Sequence, residues 1–377
     1  MTSSFRFTLL HQSTKSRARV GRIDTPHGPI DTPNFVAVGT NGTVKAIDSQ
    51  TLESLQLQLL FCNTYHLLLQ PGTEVVQAAG GLHRFMGRSF PIITDSGGFQ
   101  VFSLKYGSVA EELKGKGKKQ EGGSVIKITE EGVLFRSYRD GTKIWLTAES
   151  SIQAQKELGA DIIIPFDELP PYHFSEQDLK VSLERTHRWE IRSLRAHQKN
   201  TNGQAIYGVI HGGTHEDLRQ KSCHVLTKEE FDGFAIGGSM GKTKDQMFQL
   251  LSFTLPLLPE EKPNHLLGIG DLFSIEQCIP LGIDTFDSSY PTRSARHGIV
   301  FTKNGPLNLT KVAYRKDTRP IEESCTCPTC RYFSLSYLQH LFKAKELAAL
   351  SLASIHNLSF MVRLMQEYRN RIWEDRI

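Results

Sequence analysis

The sequence predicts an α/β protein folded as a (β/α)8 TIM-like barrel. Eight short apolar, often β-branched runs recur along the chain, most are followed by an amphipathic stretch, and each breaks off at glycine or a polar residue. Runs of this kind read as buried parallel strands, and the residues that end them fall on the C-terminal rim, where barrel enzymes carry their reacting groups. A doubly wound open sheet is the alternative, because periodicity does not register closure.

The runs cover 35–40, 59–64, 92–95, 162–167, 206–211, 234–238, 266–270 and 285–287. Between them the spacing predicts helices at 48–57, 73–80, 147–158, 175–199, 215–229, 243–254 and 273–281, with Thr147 capping the third of these ahead of Glu149. Two regions break the alternation. Residues 106–123 are rich in Lys and Gly without apolar periodicity, which reads as a loop that either touches phosphates or is a solvated linker; 125–146 alternate as strands around Asp140-Gly141, a hairpin signal. The expected organisation is a barrel over 1–301 with an insertion at about 105–146, then a zinc-binding helical subdomain over 302–377 with a long helix at roughly 331–372.

Composition narrows the class. With 39% hydrophobic and 22% charged residues among 377, the chain is too apolar for a disordered protein, and its apolar runs are far shorter than the ~20 residues of a membrane span. Residues 1–21 show no secretory pattern, so the cytoplasm is the expected compartment. A net charge of +4 does not by itself mark a nucleic-acid coat.

Three of the six cysteines, Cys325, Cys327 and Cys330, crowd into one turn, which is costly for thiolates without a cation and points to structural zinc. His356 is the expected fourth ligand and His340 its competitor. Cys62, Cys223 and Cys278 lack partners at metal spacing and read as inert core thiols.

The catalytic expectation rests on carboxylates that end strands. Asp95 precedes Ser96-Gly97-Gly98, Asp167-Glu168 ends the fourth run and Asp287 the eighth. Singly each reads as a helix cap; together on one rim they suit glycosidic chemistry, with one carboxylate attacking and another moving protons. Arg293 and Arg296 follow Asp287 closely and would hold phosphates, unless they are only a solvated turn. Gly212-Gly213 and Gly237-Gly238 would let a planar ligand lie against backbone.

The segment Thr94-Asp95-Ser96-Gly97-Gly98-Phe99-Gln100-Val101-Phe102-Ser103-Leu104, Phe286-Asp287 with Pro291-Thr292-Arg293, and the Cys325/Cys327/Cys330/His356 set together resemble the tRNA-guanine transglycosylase family, over nearly the whole chain. Asn63-Thr64-Tyr65-His66-Leu67 and Gly80-Gly81-Leu82-His83 are similar to it as well. The resemblance implies a zinc-containing barrel that exchanges the wobble guanine of the tRNAs for Asp, Asn, His and Tyr for a 7-deazaguanine, either queuine or its aminomethyl precursor. It also implies a homodimer and a tRNA anticodon loop as partner. By the same resemblance Asp287 is the nucleophile, Asp95 the general acid/base, and Arg293 and Arg296 the tRNA contacts. Phe99, Asp167, His211, Gly238 and Leu267 are the base contacts.

The chain departs from the family at Leu169, where bacterial members usually carry Cys, at His211 in place of Gln, at Ser239-Met240-Gly241 and at 271–274. Leu169 and 239–241 lead to the expectation that queuine itself is accepted. Two other readings compete: a non-catalytic tRNA-binding partner of the same family, which would be expected to lack Asp287, and a zinc-stabilised nucleoside glycosidase.

Overall fold

The computed structural model describes residues 5–100, 125–170 and 174–377. Eight parallel strands close into a barrel: β4 (Asn34–Val38), β5 (Leu60–Cys62), β6 (Ile92–Thr94), β10 (Ile162–Ile163), β11 (Ala205–Ile210), β12 (Gly233–Ile236), β13 (Asn264–Leu266) and β14 (Thr285–Ser288). β14 returns to pair with β4, Asp287 opposite Val36, which removes every free edge and rules out the open sheet. Each predicted run overlaps one of these strands, although the seventh, 266–270, meets β13 only at Leu266. Most of the hydrogen-bonded parts are shorter than the runs because the terminal Gly, Asp and His residues already belong to the rim; β11 equals its run in length and β14 extends one residue past its run.

Each predicted helix is present, trimmed at its ends. Thr147 caps Ala148–Leu158 as expected, but its reciprocal partner is Ser150, whose hydroxyl accepts from the Thr147 backbone N–H. The short helices Thr64–Leu69, Gly81–Met86 and Tyr290–Arg296 were not among those the spacing predicted.

Three strands precede the barrel: β1 (Arg6–Gln12), β2 (Arg19–Thr25) and β3 (Gly28–Thr32) form an antiparallel sheet that the sequence reading did not foresee. Ile23 and Ile30 from it join Val36, Phe61 and Ile93 in one apolar cluster. The insertion is a second antiparallel sheet, β7 (Val125–Ile128), β8 (Gly132–Arg136) and β9 (Lys143–Thr147), in which Asp140 and Gly141 (φ 76°) make the β8–β9 turn. The whole Lys/Gly-rich stretch 106–123 lies outside the described residues.

The single long helix expected at 331–372 is three: Pro328–Tyr332, Leu335–Ala344 and Leu347–Trp373. Ser334 caps the second by accepting from the Tyr337 N–H, and Lys345 ends it in the left-handed region at φ 58°. The helix Leu347–Trp373 is long and apolar enough to cross a bilayer by length and composition. Here Leu358, Met361, Met365 and Ile372 join the main core cluster beside Phe35 and Phe286, and Arg369 donates to the Pro33 carbonyl.

Candidate active site and metal centre

The C-terminal rim gathers the predicted residues. Asp95 follows β6 and is almost fully buried; its Oδ1 accepts from the Thr64 N–H at 2.7 Å, and its Oδ2 accepts from Asn63 Nδ2 at 2.6 Å and Gln100 Nε2 at 2.9 Å. Those donors favour the ionised form, yet burial outweighs them and pushes the carboxyl from 3.8 up to about 6. A carboxyl poised there both gives and takes a proton near neutrality.

Asp167, after β10, accepts on Oδ1 from the Ser96 hydroxyl at 2.9 Å and on Oδ2 from His211 Nε2 at 2.9 Å. It thus links the ends of β6, β10 and β11. Gly98 is required here: a Cβ would stand 2.6 Å from the Asp167 carbonyl oxygen, so no side chain fits without moving the rim. Gly238, after β12, has φ +79°, and a Cβ there would meet His211 Nδ1 at 3.0 Å. Leu267 is half-buried at the end of β13, and Phe99 is 49% exposed, an aromatic face turned to solvent at the rim.

Asp287 is buried in β14. Its Oδ1 accepts from the Gly268 N–H at 2.6 Å and from His265 Nε2 at 3.1 Å, while among the described residues Oδ2 carries no protein hydrogen bond. A carboxylate gripped by one oxygen presents the other for attack. The helix Tyr290–Arg296 starts immediately beyond it and carries Arg293 and Arg296, neither of which pairs with a carboxylate among the described residues. Burial and the neighbouring Arg293 both lower the pKa of Arg296, so the pair is a concentrated positive charge without a resident counter-ion.

A second centre lies in the C-terminal region. Cys325, Cys327, Cys330 and His356 are all buried, their donor atoms within 4.8 Å of one another. His356 Nδ1 faces the three sulfurs at 3.8, 3.6 and 3.2 Å, and Nε2–H donates to the Phe301 carbonyl at 2.7 Å, which fixes the ring for coordination through Nδ1. Three thiols and one imidazole make a closed tetrahedral donor set for a metal ion. His340, the alternative ligand, is exposed on Leu335–Ala344, its ring against Tyr337.

His27, His83 and Asp161 also cluster, with Asp161 Oδ1 2.7 Å from His27 Nδ1 and Oδ2 3.0 Å from His83 Nε2. The two imidazoles stack at 3.4 Å and 10°, so their in-plane lone pairs run parallel and do not converge on one ion. His27 is hydrogen-bonded to Asp161 and His83 lies in close contact with it, a clamp at the start of β10. Cys62, Cys223 and Cys278 are buried, and burial pushes their thiols up to about 12, 11 and 12, which makes them poor nucleophiles.

A family model described as queuine tRNA-ribosyltransferase matches residues 13–377. The chain belongs to the queuine tRNA-ribosyltransferase family. It is 69% identical over 373 residues to the queuine tRNA-ribosyltransferase of Protochlamydia amoebophila (strain UWE25), an alignment covering 99% of this chain and 96% of that one. The enzymes of the same name from Chlamydia abortus and Chlamydia caviae are 53% and 52% identical over 375 residues, covering 99% of this chain and 100% of theirs. The chain is accordingly a pentosyltransferase of the tRNA-guanine transglycosylase type.

Several groups of this queuine tRNA-ribosyltransferase fold were not anticipated as functional. Asn63 and Thr64 were noticed only as part of a resemblance, yet they hold Asp95. Ser96 orients Asp167, and His265 and Gly268 hold Asp287. Their roles come from strand register: His265 lies opposite Thr285, two residues before Asp287, and no spacing within β13 announces that.

Proposed function

We propose that this chain exchanges the wobble guanine of queuosine-family tRNAs for a 7-deazaguanine by double displacement at the ribose anomeric carbon. The observation that carries the reading is the pairing of Asp287, with one oxygen held and one open, with Asp95, a buried carboxyl near 6. Asp287 Oδ2 attacks C1′ as the bond to guanine N9 breaks, and Asp95 supplies a proton to the departing base. The incoming base loses its proton to Asp95, attacks C1′ and restores the Asp287 carboxylate. An anticodon base is unpaired, so drawing it into the pocket costs less than extraction from a duplex, and stacking on Phe99 offsets part of that cost. Asp167, His211, Gly238 and Leu267 line the base site, and water is kept out while the bases exchange. Incubation with tRNA and labelled guanine tests this directly: label enters tRNA at the wobble position, whereas labelled free nucleosides or no transfer at all would support the glycosidase or the non-catalytic partner.

The pocket accepts queuine itself, not only the smaller aminomethyl precursor. Besides Leu169 and Ser239-Met240-Gly241, a cavity of about 150 Å³ bordered by His211, Gly212, Gly213, Gly238 and Ser239 adjoins the base contacts and leaves room for a substituent. Supplied with either base and the same tRNA, the enzyme is expected to incorporate both; exclusive use of the aminomethyl precursor contradicts the assignment.

Arg293 and Arg296 bind tRNA phosphates in this reading. Replacing either by Ala is expected to weaken tRNA binding and to lower the slope of log K against log salt by about 1. An unchanged slope returns them to a solvated turn. The metal held by the three cysteines and His356 is structural zinc, one ion per chain, within a subdomain over 302–377 attached to the catalytic barrel of 1–301. Cys327→Ser is expected to cut zinc content to near zero and lower the melting temperature of the whole protein, as measured by elemental analysis and calorimetry. The protein works in the cytoplasm as a homodimer on the anticodon loop of its tRNA.

A further inference from the structure

We propose that His265 is a positioning residue for the nucleophile, and that its hydrogen bond to Asp287 governs how readily the covalent RNA–enzyme intermediate breaks down. The inference rests on Asp287 being the nucleophile and goes beyond it. His265 is fully buried inside the barrel, with Phe61 of β5 stacked 6.1 Å away, Ala235 of β12 beside it in register and Thr285 of β14 opposite. Its two ring nitrogens are both committed. Nε2 lies 3.1 Å from Asp287 Oδ1, and Nδ1 lies 2.8 Å from Thr285 Oγ1. A carboxylate oxygen that also takes the Gly268 N–H offers only lone pairs, so Nε2 carries the proton and donates. Nδ1 then accepts from the Thr285 hydroxyl, whose other acceptor, the Asn264 carbonyl, is farther away at 3.3 Å. Thr285, His265 and Asp287 form a chain of one hydroxyl, one imidazole and one carboxylate with a fixed tautomer.

The consequence for the reaction follows from where charge resides. When Asp287 Oδ2 bonds to C1′ and the pair of the C1′–N9 bond leaves with guanine, Oδ1 becomes an uncharged carbonyl oxygen and the hydrogen bond from His265 weakens. When the incoming base attacks C1′, the C1′–Oδ2 pair returns to Asp287, negative charge reappears on the carboxylate, and the same bond strengthens. His265 therefore favours the free carboxylate over the intermediate and helps Asp287 depart in the second half of the reaction. The Gly268 N–H stays in place whatever residue 265 is, so orientation is largely kept when the imidazole is removed.

The test uses full-length zinc-loaded protein, labelled tRNA and guanine, with kcat, the KM for guanine and the fraction of enzyme trapped as an RNA–protein species on a denaturing gel. His265→Phe is expected to lower kcat by about tenfold or more while the trapped fraction at steady state rises. His265→Gln, which keeps an amide donor at similar reach, is expected to recover most of kcat and return the trapped fraction toward wild type. Thr285→Val, a smaller change that frees the ring tautomer, is expected to move both in the direction of His265→Phe and serves where that variant folds poorly. A trapped fraction that is unchanged or falls together with kcat overturns the role of His265. Absence of any trapped species in the wild type would instead remove the nucleophile reading on which it rests.

Discussion

Asp287→Ala is expected to abolish base exchange, with loss of about 10⁴-fold or more in the incorporation of labelled guanine, because no other group stands in for a displaced nucleophile. The stability effect is separable from the chemical one. Truncation leaves the buried His265 Nε2–H without its acceptor, which costs on the order of 1–3 kcal/mol, whereas the Gly268 N–H belongs to an exposed residue and loses less. Asp287→Asn keeps the shape and an acceptor oxygen, so it is expected to melt close to wild type and still fail to exchange bases. Exchange by Asp287→Asn at a rate near wild type refutes the assignment.

The second large effect belongs to Asp95. Asp95→Asn is expected to lower kcat by about 10²- to 10⁴-fold, the usual range for loss of a general acid/base. The pH dependence gives a sharper signature. Burial raises this carboxyl to about 6, so its proton is bound below that value and lost above it. The half-reaction that releases guanine needs the protonated form, and kcat/KM for tRNA should decline as pH rises through about 6. The half-reaction that accepts the new base needs the carboxylate, and kcat/KM for the base should decline as pH falls through the same value. Asp95→Asn should flatten both limbs. Limbs that persist unchanged in that variant would assign the proton transfers to another group.

How much of this could be read from the chain depends on the distance over which each feature is encoded. The barrel was legible because every strand is a short local run, and the gathering of carboxylates at the rim was legible because Asp95, Asp167 and Asp287 stand at or near the ends of those runs. The thiol cluster was legible for the same reason: three ligands share one turn. The choice of His356 over His340 was not settled by spacing, since the predicted continuous helix breaks at 333–334 and again at 345–346, which turns the two histidines to different surroundings.

What escaped notice is relational. The strand Arg6–Gln12 has mostly exposed or half-exposed side chains, so it gives no alternating signal, and the sheet it begins is evident only once Ile23 and Ile30 meet the barrel. His265 reads as one polar residue between Asn264 and Leu266; only pairing of β13 with β14 brings it to Asp287. The Ser96–Asp167–His211 connection likewise spans three strand ends far apart in sequence. Sequence identifies the groups that carry charge, and register determines which neighbours control them.

The central claim is a covalent bond between Asp287 and the ribose of tRNA, and its most direct measurement is a denaturing gel of enzyme quenched during turnover with labelled tRNA. A slowly migrating species containing both protein and RNA, present with the wild type and absent with Asp287→Asn, is the predicted result. Active enzyme that never yields such a species, even when the incoming base is a poor one, would contradict it.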